Sequence, residues 1–302
     1  MSSIRFVLYS KGLRGRHVFE SLAASGFLPI HVVLENPDAE FENRLTRLAI
    51  SHHVCSKPKS QEHRNFVEKQ LWDLVICAGY SKILPEFVIS APILGAINCH
   101  GGRLPQYRGA APIPWQIING EKSGTAYVLV MTKNIDDGAI LASEDYLILD
   151  DDTASDITTK VVEIFSRIVP QVVEEILQIN AIPVGVPQPI ENICHWARRY
   201  PEDGKINWNS DCKDILNLVR ALDYPYPGAF FELEGESVIV VKARIRHGLR
   251  GVPGRVIGKT ENSILVACKD TALEVLTVKS KGKLFSANLL RVSYGAHLGR
   301  TE

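Results

Sequence analysis

The sequence predicts an α/β protein: a doubly wound parallel sheet followed by a small, β-rich, barrel-like C-terminal domain. Two textures predict it. Over the first 150 or so residues, short apolar runs alternate with stretches of helical periodicity, as in β–α units whose sheet is buried on both faces. After about residue 225, short apolar runs are split by glycine turns instead, as in a small barrel.

The elements follow in order. Ile4 to Tyr9 is a β-branched and aromatic run. The loop SKGLRG comes next, then a helical pattern with Val18, Leu22 and Ala23 on one face. Pro29 to Leu34 is a second apolar run, and a helical pattern covers Ala39 to His52. LVICA (Leu74 to Ala78) and AINCH (Ala96 to His100) are further strands, each bounded by turn residues. GGRLPQYRGAAPIP, rich in proline and glycine, predicts irregular chain up to a helical stretch from Trp115 to Asn119. A long irregular segment inside a compact domain usually carries function. Thr125 to Met131 and Ala139 to Ile148 read as strands around KNIDDG. Asp152 to Leu177 reads as an amphipathic helix with Ile157, Val161, Ile164 and Ile168 at helical spacing. Ala181 to Pro189 (AIPVGVPQP) reads as a linker, and a last helix covers Cys212 to Leu222. AFFEL, SVIVVKARI, GRVIG, SILVAC and ALEVLTV then read as strands. The expected domains are residues 1–203, carrying the chemistry, and residues 204–302, β-rich.

Composition narrows the class. Of 302 residues, 45% are hydrophobic and 23% charged, enough apolar content to bury a real core. Lys plus Arg and Asp plus Glu are both 34, so no whole-molecule field attracts nucleic acid or an anionic membrane. The charge is uneven: residues 205–302 hold 15 basic against 10 acidic residues, net +5, leaving −5 elsewhere. The six cysteines (55, 77, 99, 194, 212 and 268) form no C-x-x-C pair. That argues against a disulfide framework or a zinc site, and no metal is expected. No apolar run reaches the roughly 18 residues a membrane span needs, and the N-terminus lacks a secretory pattern. The expectation is a cytoplasmic protein without a membrane partner.

Three polar residues stand where strand ends and a loop should meet. Asn98 and His100, at i and i+2 on the AINCH strand, point to one face. They lie at the C-terminal strand edge, where open parallel sheets bind ligands. Asp136 sits in the loop between two later strands, with Asp137 beside it as a competitor for the same role.

INCHGGRLPQYRGAAPIPWQIINGE followed by MTKNIDDGAIL closely resembles the formyltransferase family. The family pattern is Asn-x-His, then Leu-Pro-x-Tyr-Arg-Gly-x-x-Pro, then Asp before a small residue and Gly. Here these are Asn98, His100, Leu104 to Gly109, Pro112, and Asp136 before Asp137 and Gly138. The resemblance extends through nearly the whole chain to a C-terminal module beginning near KINW. It implies a Rossmann-like first domain, an OB-like second, and transfer of a formyl group from 10-formyltetrahydrofolate to a primary amine without a metal.

It also implies roles. Asn98 would donate to the oxyanion of a tetrahedral intermediate. His100 would bond that intermediate and move a proton, and Asp136 would orient the imidazole. Backbone groups of Ala78 to Leu84 would hold the pterin, with Gly79, Tyr80, Lys82, Ile83 and Leu84 as cofactor residues. The loop from Thr132 to Asp136, including Asn134, would close the other side. Ser10, Lys11, Gly12, Tyr107, Arg108 and Gly109 are the expected acceptor residues, with bracing an equal reading for Tyr107 and Arg108.

For the acceptor, SKGLRGRHVFESLAASG replaces the Gly-Thr-Pro type turn usual in methionyl-tRNA enzymes. With PYPGAF it resembles the branch acting on nucleotide-linked amino sugars (dTDP, UDP or GDP), which implies a place in lipopolysaccharide or other surface-polysaccharide assembly. Lys11, Gly12, Arg14 and Arg16 would meet the pyrophosphate near a helix N-terminus. The alternative acceptor is methionyl-tRNA, supported by the basic C-terminal part with Lys279 to Lys283. A formyltetrahydrofolate hydrolase is a further alternative, and the β-rich part offers a surface for a homodimer.

Overall fold

A computed structural model describes residues 4–299. The chain forms two compact units: residues 1–112, 123–147 and 158–197 make the first, and 113–122, 148–157 and 198–302 the second.

The first unit is the α/β part. Its elements are β1 (Phe6–Ser10), α1 (Gly12–Ala24), β2 (His31–Leu34), α2 (Ala39–Arg47), β3 (Ser51–Val54), α3 (Gln61–Glu68), β4 (Leu74–Ala78), α4 (Glu86–Ile89), β5 (Gly95–His100) and β6 (Arg108–Gly109). α5 (Pro112–Ile118), which from Ile113 on belongs to the second unit, precedes β7 (Ser123–Val130) and β8 (Ile140–Leu147), and α6 (Ala154–Ile179), whose first turn also belongs to the second unit, precedes β9 (His195–Trp196). The main sheet runs β3-β2-β1-β4-β5-β7-β8. Its first five strands are parallel, and β7 and β8 continue it antiparallel. FVLYS in β1 and LVICA in β4 are buried along their whole length, because helices cover both faces. Strand order reverses between β1 and β4, so the crevice beyond their carboxyl ends is where such a sheet takes a ligand.

Several local expectations shift. The helix expected over Ala39 to His52 ends at Arg47, the chain turns at Ala49 with φ 55°, and residues 51–54 form the edge strand β3. α1 begins at Gly12, inside the expected loop, and α5 begins at Pro112, where proline's fixed φ suits a first turn. Residues 181–189 are not a free linker. Val186 and Ile140 exchange both backbone hydrogen bonds, at 2.8 Å each, and β9 pairs with β6.

In the second unit, α7 (Cys212–Ala221) packs on an antiparallel sheet of β10 (Ala229–Leu233), β11 (Glu236–Arg246), β12 (Val256–Lys259), β13 (Ile264–Ala267), β14 (Ala272–Ser280) and β15 (Lys283–Ser286). The five strands read from the sequence are there, and β15 is added beside β14. Ile215, Val219, Phe231, Val240, Val266 and Val275 belong to its core. Among the described residues no helix is long and apolar enough to cross a membrane.

Candidate active site

Every residue of the site lies in the first unit. Asn98 and His100 share a face at the carboxyl end of β5. Asn98 Nδ2 donates to Asp136 Oδ1 at 3.0 Å, leaving its second N–H free of that bond. His100 is 5% exposed, and its Nδ1 lies 3.4 Å from Asp136 Oδ2. Its Nε2 lies 2.7 Å from the Tyr107 carbonyl. A carbonyl only accepts, so Nε2 must carry a hydrogen there. The His100 ring is thus held between the Tyr107 carbonyl and the Asp136 carboxylate.

Asp136 takes this position at a left-handed φ of 53°, a conformation aspartate tolerates better than most residues. The backbone N–H of Gly109 donates to its Oδ2 at 2.9 Å. Gly109 itself has φ 100°, and a Cβ there would stand 2.5 Å from the Trp196 carbonyl oxygen, so only glycine fits. Asp137 turns the other way: Thr132 Oγ1 donates to its Oδ1, and Asn134 Nδ2 to its Oδ2 at 2.7 Å. Burial raises the Asp137 carboxyl, but the hydrogen bonds from Thr132 and Asn134 and the Arg108 charge outweigh it and hold it below its ordinary value. Of the two adjacent aspartates, Asp136 faces Asn98 and His100 and Asp137 pins the loop.

The 181–197 segment supplies residues the sequence reading missed. Gln188 Nε2 donates to the carbonyls of Asp136 (2.8 Å) and Gly138 (2.9 Å). Its Oε1 accepts from Arg108 Nη2 (2.8 Å) and Nε (3.1 Å). Trp196 stacks on Tyr107 with centroids 5.6 Å apart and donates Nε1–H to the Gln106 carbonyl at 2.8 Å. Tyr107 and Arg108, read equally as acceptor residues or braces, are buried, and these contacts tie the loop to the 181–197 segment.

The β1 and β4 ends hold the remaining candidates. Gly79 has φ 77°, and a Cβ there would come 2.7 Å from the Lys11 carbonyl. Tyr80 and Leu84 turn their side chains into the core, and Tyr80 donates to the Cys55 carbonyl. The backbone of that segment, the half-buried Lys82 and the 59% exposed Ile83 are what it offers outward. Ser10 is fully buried with its Oγ unpartnered beneath Gly15, so its side chain is no surface ligand. Lys11 is not free either: its Nζ lies 2.6 Å from Glu35 Oε1 and 2.9 Å from Ser81 Oγ. Burial raises the Glu35 carboxyl, but the hydrogen bonds from Lys11 and Ser81 and the Lys11 charge prevail and lower it. Arg16 pairs with Asp38 and Glu40. Among the described residues Arg14 has no ion pair; it is half-buried with its Cβ beside Gly79. No side chain caps the start of α1, where Gly12 is exposed.

Asn98, His100 and Asp136 thus converge at the carboxyl edge of a doubly wound α/β sheet. The chain belongs to the formyl transferase family: its formyl transferase domain matches residues 17–173 and its formyl transferase C-terminal domain residues 199–289. The bifunctional polymyxin resistance protein ArnA of Wigglesworthia glossinidia brevipalpis is 34% identical over 215 residues, 71% of this chain but only about a third (32%) of that protein. A methionyl-tRNA formyltransferase of Thermodesulfovibrio yellowstonii is 33% identical over 75% of this chain and 73% of its own length. In fold, the chain is similar to an N-formyltransferase of Helicobacter canadensis solved with folinic acid and dTDP-3-aminofucose, at TM-score 0.68 and 14% identity over 90% of this chain and 99% of that one. The sugar 3N-formyl transferase WlaRD, solved with dTDP and 5-N-formyl-THF, gives 0.67 and 17%, over 94% and 100%.

Proposed function

We propose that the chain is a 10-formyltetrahydrofolate-dependent N-formyltransferase acting on the primary amine of a nucleotide-linked amino sugar. The observation that carries the reaction is the Asn98, His100 and Asp136 cluster at the carboxyl edge of the sheet. Formyl transfer forms a bond from the amine nitrogen to the formyl carbon and breaks the bond from that carbon to the folate nitrogen. One proton leaves the amine and one is returned to the departing nitrogen. The His100 imidazole, with the Asp136 carboxylate beside it, is the group placed to take the one proton and return the other. The second N–H of Asn98 serves the oxyanion between the two steps. The Gly79 to Leu84 segment and the Thr132 to Asp136 loop take the folate.

Two features support the sugar. The relatives in fold that were solved with dTDP or a dTDP-linked amino sugar are matched over nearly their whole length. Arg14, unpaired at the start of α1, sits beside the strand-order reversal and suits a pyrophosphate. The rival acceptor is methionyl-tRNA, favoured by relatives of that name at 33% identity. The same proposal gives the chemistry to residues 1–203 and places the protein in the cytoplasm, where thiols stay reduced.

The test is His100→Ala, assayed separately for folate binding by calorimetry and for turnover. Retained folate binding with turnover lost is expected. Near-normal turnover contradicts the assignment.

A further inference from the structure

A second cluster of chemistry-bearing side chains lies on the β3 side of the sheet. His53 is the next-to-last residue of β3, Cys55 follows the strand, and His63 sits on the first turn of α3. The cysteines are scattered along the chain with no C-x-x-C pair, so no metal was expected. The fold brings one cysteine to two histidines: one ligand atom from each of the three lies within 4.8 Å of the others.

We propose that His53, Cys55 and His63 bind a zinc ion, a site separate from formyl transfer and not part of its chemistry. Three features of the geometry support it. First, His63 is 2% exposed and its Nδ1 has no hydrogen-bond partner, a buried donor–acceptor group left for something the side chains do not supply. Second, the other nitrogen of each imidazole is already fixed. His63 Nε2 meets the Tyr9 hydroxyl at 2.9 Å, and His53 Nδ1 meets His31 Nε2 at 2.7 Å. Zinc-ligating histidines almost always carry such a partner on the second nitrogen, which sets ring orientation and basicity. Third, the donor set is two nitrogens and one sulfur, which selects zinc over calcium or magnesium.

The spacing is close to what zinc needs. Zn–N and Zn–S bonds at tetrahedral angles place ligand atoms about 3.5 Å apart. A water completes the fourth position, and the exposed Glu62 lies close enough for its charge to act on both His53 and Cys55. Cys55 releases its thiol proton to solvent as the Zn–S bond forms. Among the described residues, no hydrogen bond or ring contact of His53, Cys55 or His63 reaches Asn98, His100 or Asp136.

The test uses cobalt(II) as a spectroscopic stand-in on the full chain after chelator treatment. One equivalent of cobalt should give a thiolate-to-cobalt charge-transfer band in the near ultraviolet, and one equivalent of zinc should remove it. Cys55→Ser should abolish the band, and His63→Gln should weaken cobalt binding at least tenfold. Cys194→Ser, which removes the exposed thiol, should leave both unchanged. A folded wild type without the band, or a band that survives Cys55→Ser or is lost in Cys194→Ser, overturns the proposal. If the cluster variants do not fold, zinc K-edge absorption on the unmutated chain decides. One sulfur at about 2.3 Å with nitrogen or oxygen at about 2.0–2.1 Å supports the site, and a shell without sulfur overturns it.

Discussion

Replacing Gln188 by Ala tests whether the 181–197 segment holds the catalytic loop. The side chain makes four hydrogen bonds, two to the Asp136 and Gly138 carbonyls and two from the Arg108 guanidinium. A neutral bond is worth about 1 kcal/mol net, and one to a charged group about 1.5–3 kcal/mol. The two Arg108 bonds share one acceptor and count once. Arg108 is 8% exposed, so truncation leaves a largely buried guanidinium without this partner. Water replaces part of the loss, giving an expected destabilisation of about 3 kcal/mol, high for a single substitution. Turnover should fall about 10- to 100-fold, because Asp136 loses the bond that fixes its left-handed backbone. Gln188→Glu should regain stability through Arg108 but not turnover, since a carboxylate cannot donate to the two carbonyls. Urea denaturation and single-turnover kinetics are the assays. A loss under about 0.5 kcal/mol, the range of ordinary surface changes, with unaltered turnover refutes the reasoning.

Asp136→Asn should lower turnover by about 10²–10⁴-fold, the range of acid–base contributions, whereas Asp137→Asn should act mainly on folate KM through the loop. Equal effects on the rate constant would show that the two aspartates are not divided as their hydrogen bonds indicate. Glu35 has a folded pKa below its unfolded one, so its contribution to stability is complete above about pH 4.3 and is lost as pH falls through the folded value. Glu35→Gln should therefore be less stable at neutral pH and lose less on acidification than wild type; parallel stability-versus-pH curves would count against the ion pair with Lys11. Arg14→Ala should raise the KM for a nucleotide-linked acceptor at least tenfold while folate KM holds, measured by steady-state kinetics. An unchanged acceptor KM would remove Arg14 from the pyrophosphate.

The sheet was legible because FVLYS and LVICA are apolar on both sides, as only a fully covered strand can be. β3 was not: SHHV is a polar edge strand, and the helical spacing before it runs on through Ile50 to hide it. Asn98 and His100 stood out by their i, i+2 spacing at a strand end. The choice between Asp136 and Asp137 depends on a left-handed backbone angle that residue identity alone does not give. Gln188 escaped because proline-rich composition looks the same in a free linker and in a strap hydrogen-bonded to a loop. Lys11 and Arg16 were expected to face a ligand as free cations, but their partners Glu35 and Asp38 come from the next β–α unit and are visible only once the sheet is assembled.

The central claim is tested most directly by an acceptor screen read by mass spectrometry. The protein is incubated with 10-formyltetrahydrofolate and, separately, with dTDP-, UDP- and GDP-linked amino sugars and with methionyl-tRNA. The account predicts one added formyl group on a nucleotide sugar, none on the tRNA, and none anywhere with Asp136→Asn. Formylation of the tRNA alone would contradict the proposed acceptor, and release of free formate with every acceptor untouched would contradict transfer itself.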